Sequence, residues 1–202
     1  MTTPSAAVGA STALIARQAI VNSEKSVIGY ELFNRSRTPA EHTAASDVLL
    51  VFTAMTHAGT EDIMGDKLLF VNCTHESLAG GHLELLDPSK IVLEIQDLGH
   101  SASAEAHLRL PMLETLKQRG FKLSFGHFVL DSVYAGWLAL ANYIKLDLTV
   151  LPRDQWLVLI QYAQKHSTAQ LIAAKMETVE QFELLQQMGI KLFQGFWFAR
   201  PS

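Results

Sequence analysis

A small, mostly polar set sits near the ends of short apolar runs: Glu31, Asn72, Glu94, Gly126-His127, Lys145 with Asp147, and Gln194, with Ala174 as the apolar exception. Hard divalent cations take several oxygen ligands, mostly carboxylates. Glu31, Asn72 and Glu94, with His127, form one candidate set for a single ion. The plainer reading of His127 is a loop histidine satisfied by a neighbour, and strand ends are polar in any case where they meet water. Cys73 has His75 as its sequence-adjacent base, and reads as a small buried hydrophobe. The eight histidines show no metal-finger spacing. Trp137 and Trp156 read as core residues, and Trp197 is placed near the site.

Such a set needs a scaffold that gathers strand ends. Residues 14–21 and 27–33 are β-type runs joined by the turn-like Asn22-Ser23-Glu24-Lys25, which makes them an antiparallel hairpin. Residues 41–57 place Ala45, Val48, Leu49, Phe52 and Met55 at helical spacing, and Gly59 closes that helix. Further strands are expected at 68–73, 90–96, 121–125, 143–148, 169–174 and 191–194. Helices are expected at 102–118, at 154–165, and from Thr178 through Gln187. A short Gly-interrupted segment fills 77–86, and a loop with a short helix fills 127–141. Strands that alternate with helices pair in parallel. The pattern predicts an α/β fold, a small (β/α)8 TIM-like barrel with an antiparallel first strand, over residues 14–202. Residues 1–13 read as a flexible leader. Barrels of this kind carry their reactive groups where strands end, at one mouth, which is where the polar set falls.

Composition narrows the partners. A chain of 202 residues that is 49% apolar can build a sizeable core. A net charge of -4 with no Lys/Arg cluster argues against nucleic acid and against a membrane surface. No apolar run approaches the roughly 20 residues of a membrane span. The first residues lack the basic start and apolar stretch of a secretory signal. One cysteine excludes an internal disulfide framework and fits a reducing, cytoplasmic setting. The positive mean hydropathy points to apolar surface covered by a partner or by further chain.

Short motifs recur in a fixed order. Ala16-Arg17-Gln18-Ala19-Ile20 is followed by Gly29-Tyr30-Glu31-Leu32-Phe33-Asn34-Arg35-Ser36, Phe70-Val71-Asn72 and Val92-Leu93-Glu94-Ile95. Phe128-Val129-Leu130-Asp131 and Ile144-Lys145-Leu146-Asp147 come next. The closing stretch carries Glu177, Thr178, Gln181, Gly189, Gln194, Gly195, Phe198 and Pro201. Together these resemble the EAL domain family, whose members bind and often hydrolyse cyclic di-GMP. The opening motifs are similar to a subgroup in which an HD-related output domain (HDOD) follows the barrel. The chain is accordingly read as a piece of a longer protein.

The resemblance implies a site. In active members, two Mg2+ or Mn2+ ions activate a water that attacks a phosphodiester, and two-metal sites hold their ions about 3.5–4 Å apart. The ligand positions of the family survive here as Glu31, Asn72 and Glu94, and Lys145 matches the residue that helps orient the water. The paired aspartates of the fifth strand fall on Gly126 and His127, or in the other alignment on Leu123 and Ser124, and the last glutamate is Ala174. Two dications facing two carboxylates and a lysine leave a net positive site. The resemblance therefore predicts a degenerate, catalytically silent domain with no metal or cofactor, in which Glu31 pairs with Lys145. Gln18, Arg35, Asn72, Asp147, Glu177 and Gln194 match nucleotide-contacting positions, so a metal-independent cyclic di-GMP receptor is the alternative. A residual phosphodiesterase is a third. Phe128, Val129, Leu130, Val133, Tyr134 and Trp137 are the candidate protein-contact surface, with a following HDOD domain or a second copy as partner; the competing reading packs that segment on the barrel.

Overall fold

A computed structural model describes residues 15–34 and 66–195. Eight strands close into a barrel in sequence order. They are β1 (Ile15–Asn22), β2 (Val27–Asn34), β3 (Leu68–Cys73), β4 (Ile91–Ile95), β5 (Lys122–Gly126), β6 (Tyr143–Asp147), β7 (Gln170–Met176) and β8 (Leu192–Gly195). β1 runs antiparallel to both β2 and β8, and every other neighbouring pair is parallel. The hairpin is the cause. Asn22 Oδ1 accepts from the Glu24 and Ser26 N–H groups at 3.0 and 2.9 Å, tightening the turn.

The described helices are α1 (His75–Leu78), α2 (Ala102–Gln118), α3 (Ala135–Leu138), α4 (Trp156–His166) and α5 (Val179–Gln187). Thr178 opens α5 with a reciprocal cap: its hydroxyl accepts from Gln181 N–H, while Gln181 Oε1 accepts from the N–H groups of Glu177 and Thr178. The helix expected at 41–57 and the leader at 1–13 lie outside the described residues. Boundaries shift elsewhere. The segment expected at 77–86 divides into α1, capped by Thr74, and a 3-10 turn at Gly81–Leu85. Residues 153–155 form a 3-10 turn before α4, and β7 runs two residues past its expected end. Among the described residues, no helix is long and apolar enough to cross a membrane.

Period-2 alternation explains where the polar set lands. Ile20, Phe70, Val92, Tyr143, Ile172 and Leu192 form one buried apolar cluster. Two positions away on the same strands are Gln18, Asn72, Glu94, Lys145, Ala174 and Gln194. A dry layer inside the barrel therefore supports a polar layer above it, at the carboxyl ends of β2–β8. β1 runs the other way, so its earlier residue, Gln18, reaches the mouth opposite Glu31. A larger apolar cluster, with Leu93, Leu113, Leu123, Ile144 and Ile160 fully buried, binds the helices to the outside of the strands.

Candidate functional site

A cavity of about 480 Å³ opens at this mouth and is lined by residues that include Gln18, Glu31, Asn72, Glu94, Lys145 and Gln194. Strand register assembles it: Asn72 stands opposite Glu94, Glu94 opposite Ser124, and Gly126 opposite Lys145.

Lys145 ties the set together. Its Nζ lies 2.9 Å from Glu31 Oε2 and also contacts Glu94 Oε1. Asn72 Nδ2 donates to Glu31 Oε1 at 3.1 Å, and Gln194 Nε2 donates to Glu31 Oε2. Burial alone would raise the pKa of Glu31. The Lys145 charge and donors from Glu94, Lys145 and Gln194 outweigh burial and hold it down at about 2. Glu94 goes the other way. Burial first, then the neighbouring Glu31 charge, push it up to about 8 against the pull of Lys145. For Lys145, the two glutamates more than offset burial and raise its pKa. One carboxyl held low, one raised and one ammonium thus share a single buried cluster. The predicted Glu31–Lys145 pair is present.

The remaining mouth positions differ in character. β5 ends at Gly126, and His127 begins a 3-10 turn. Ala174 is buried on β7 opposite Asp147. Asp147 is turned to local partners: Oδ1 accepts from Thr149 N–H and Oγ1, and Oδ2 pairs with Lys175 Nζ at 2.6 Å. Although burial would raise its pKa, Lys175 and Thr149 lower it overall. Whichever alignment is used for β5, that strand brings no carboxylate to the cavity. Among the described residues, no three or more His, Cys, Asp or Glu side chains are grouped so as to hold a metal ion.

Of the six nucleotide-contact candidates, Gln18, Asn72, Asp147 and Gln194 line the cavity. Glu177 is exposed and stands outside the cavity lining, at the cap of α5. Arg35 lies outside the described residues. The expected contact surface requires a correction. Val129, Tyr134 and Trp137 are buried in the core, and only Phe128, Leu130 and Val133 are partly open. The reason is aromatic packing: Tyr134 stacks against Phe128 and Trp137 with both centroid distances at 4.9 Å, and Trp137 Nε1 donates to Ala106 O at 2.8 Å on α2. Trp156 is likewise buried, donating to Leu151 O, and Cys73 is buried. Trp197 lies outside the described residues.

Sequence reasoning missed Lys175 altogether and gave Ser124 only as an alternative alignment position; both line the cavity. The alternation of β7 assigns 175 to the outer face, so sequence alone gave no signal for it. Ser124 shares the parity of Lys122 and Gly126 and was recoverable.

Residues 52–201 match the EAL domain. The chain belongs to the EAL domain family. The cyclic di-GMP phosphodiesterase CdgJ of Vibrio cholerae is 24% identical over 200 residues, covering 95% of this chain and 45% of that protein. YuxH of Bacillus subtilis is 23% identical over 197 residues, covering 93% of this chain and 47% of YuxH. The chain thus spans about half the length of these curated relatives. Among solved structures, Klebsiella pneumoniae BlrP1 in its calcium and cyclic di-GMP complex superposes with a TM-score of 0.76 at 22% identity, covering 100% of this chain and 58% of BlrP1. Bacillus subtilis YkuI, an EAL-domain protein in complex with cyclic di-GMP and calcium, gives 0.70 at 21% identity, covering 93% and 55%. At such identities, these likenesses establish the EAL barrel fold.

Proposed function

We propose that this EAL domain is catalytically inactive and acts by protein contact in bacterial signal transduction. The partner proposed is a following HDOD domain or a second copy of the chain. The observation that carries the reading is that Lys145 already occupies the space between Glu31 and Glu94 and contacts both. Two divalent ions do not fit such a set. They would have to displace the Lys145 ammonium, strip the proton from Glu94, and do without carboxylates at Gly126, His127 and Ala174. Each uncompensated charge in a part-buried mouth costs several kcal/mol. Asp147 adds only one carboxylate, and its Oδ1 is already engaged by Thr149 N–H and Oγ1.

A second reading draws support from the four candidates that line one cavity, Gln18, Asn72, Asp147 and Gln194. It is a receptor that binds cyclic di-GMP without metal and leaves it intact. Calorimetry with cyclic di-GMP, in EDTA and in Mg2+, with product analysis of each mixture, separates the readings. Contact-only function predicts no binding heat in either buffer, and the receptor predicts heat in EDTA without product. Metal-dependent linear product overturns both.

A further inference from the structure

Lys175 has a left-handed backbone, with φ 60°, a conformation uncommon for residues other than glycine. Its cause lies across the strand pair. β7 and β8 are in register at Ile172–Leu192 and Ala173–Phe193, but Gly195 then stands opposite Met176. Three steps along β7 match two along β8, so β7 carries one extra residue, a bulge. A Cβ on Gly195 would lie 2.1 Å from Met176 O, so this approach is open only to glycine. The bulge re-aims Lys175. Strict alternation would set it on the outer face, yet it lines the mouth cavity beside Ala174.

The two lysines at the mouth have different freedom. Lys145 is buried between two glutamates, whereas the Lys175 side chain is 60% exposed, with Asp147 as its one ion-pair partner among the described residues. An exposed pair of this kind holds weakly and exchanges readily. An exposed ammonium beside Ala174, which brings no carboxylate to the rim, offers an anion a cationic contact at the mouth.

We propose that Lys175 is a direct anion-binding residue of the mouth. It takes a phosphate oxygen of a phosphodiester ligand where relatives with a metal pair would use an ion, and Asp147 is the resting partner it leaves. The inference rests on the second reading, the metal-free receptor, and goes beyond it by naming Lys175 as the residue that holds the phosphate.

The test is calorimetry of the full chain with cyclic di-GMP, in EDTA and in Mg2+, at low salt. Lys175→Asn removes the charge but tolerates the left-handed backbone, and a thermal melt confirms its fold. The expected result is saturable binding by the wild type in EDTA, weakened about 10-fold or more in Lys175→Asn, as for loss of one charge-assisted hydrogen bond. Lys175→Arg should restore it. Asp147→Asn keeps the Oδ1 acceptor for Thr149 while removing the competing charge, and should tighten binding. Equal binding by Lys175→Asn and wild type in EDTA overturns the Lys175 assignment and leaves the metal-free mouth standing. A loss in Asp147→Asn overturns the exchange by making Asp147 itself the contact. Binding only with Mg2+ removes the metal-free reading and Lys175 with it. No binding in either buffer overturns the inference and leaves contact-only function.

Discussion

Two sides of the barrel mouth handle charge differently. On β2, β4 and β6, Glu31, Glu94 and Lys145 are in mutual contact and largely buried. On β5 and β7, the corresponding ends are Gly126-His127 and Ala174-Lys175, and the one lysine there is mostly exposed. The first side is a closed electrostatic unit: removing Glu31 or Lys145 strands the other's buried charge. The second side holds an exchangeable cation whose removal strands nothing. The difference teaches that a charged residue retained at a mouth of this kind need not be poised for catalysis, because it can be held by its own neighbours.

Paired substitutions are the strongest way to break this contrast. Lys145→Met should destabilise the fold by about 3 kcal/mol or more, because it leaves Glu31 buried without its cation. Lys175→Met should change stability by less than about 0.5 kcal/mol. Urea unfolding of both variants measures this, and equal effects would erase the distinction.

Next in size is the pH dependence of the closed unit. Glu94 is raised from 4.5 to about 8, so between those values the folded chain holds a proton that the unfolded chain has released. Stability should therefore fall as pH rises from about 4.5 to 8, on the order of 1 kcal/mol per pH unit. Glu31 is lowered from 4.5 to about 2, so its contribution appears as pH rises through that window. Glu94→Gln should flatten the upper limb and leave the lower one. An upper limb unchanged in that variant would place the titration elsewhere.

Two smaller effects sharpen the account of the β7 side. Gly195→Ala should cost about 1–3 kcal/mol in thermal unfolding, since its Cβ collides with the Met176 backbone. Thr178→Ala should cost about 1 kcal/mol by removing the cap of α5. A neutral Gly195→Ala would mean that the bulge is not forced by close strand approach.

Much of this was readable from residue order. The barrel followed from strands alternating with helices, and the Glu31–Lys145 pairing from the family resemblance and the ligand positions it leaves empty. The β7 side was less legible, because a bulge depends on the approach of two backbones, which leaves no trace in the alternation of 169–174. That is why Lys175 was missed. The segment 127–141 left two readings open for a related reason. Its apolar residues suit a contact surface as well as a core, and only the 3-10 turn at Ser132–Tyr134 and α3 turn Tyr134 and Trp137 inward.

The most direct measurement is Mn2+ binding at neutral pH, followed by the electron paramagnetic resonance signal of the free ion as the chain is titrated. A mouth neutralised by Lys145 predicts that the free-ion signal stays unchanged at micromolar protein. Two Mn2+ ions retained per chain would contradict it.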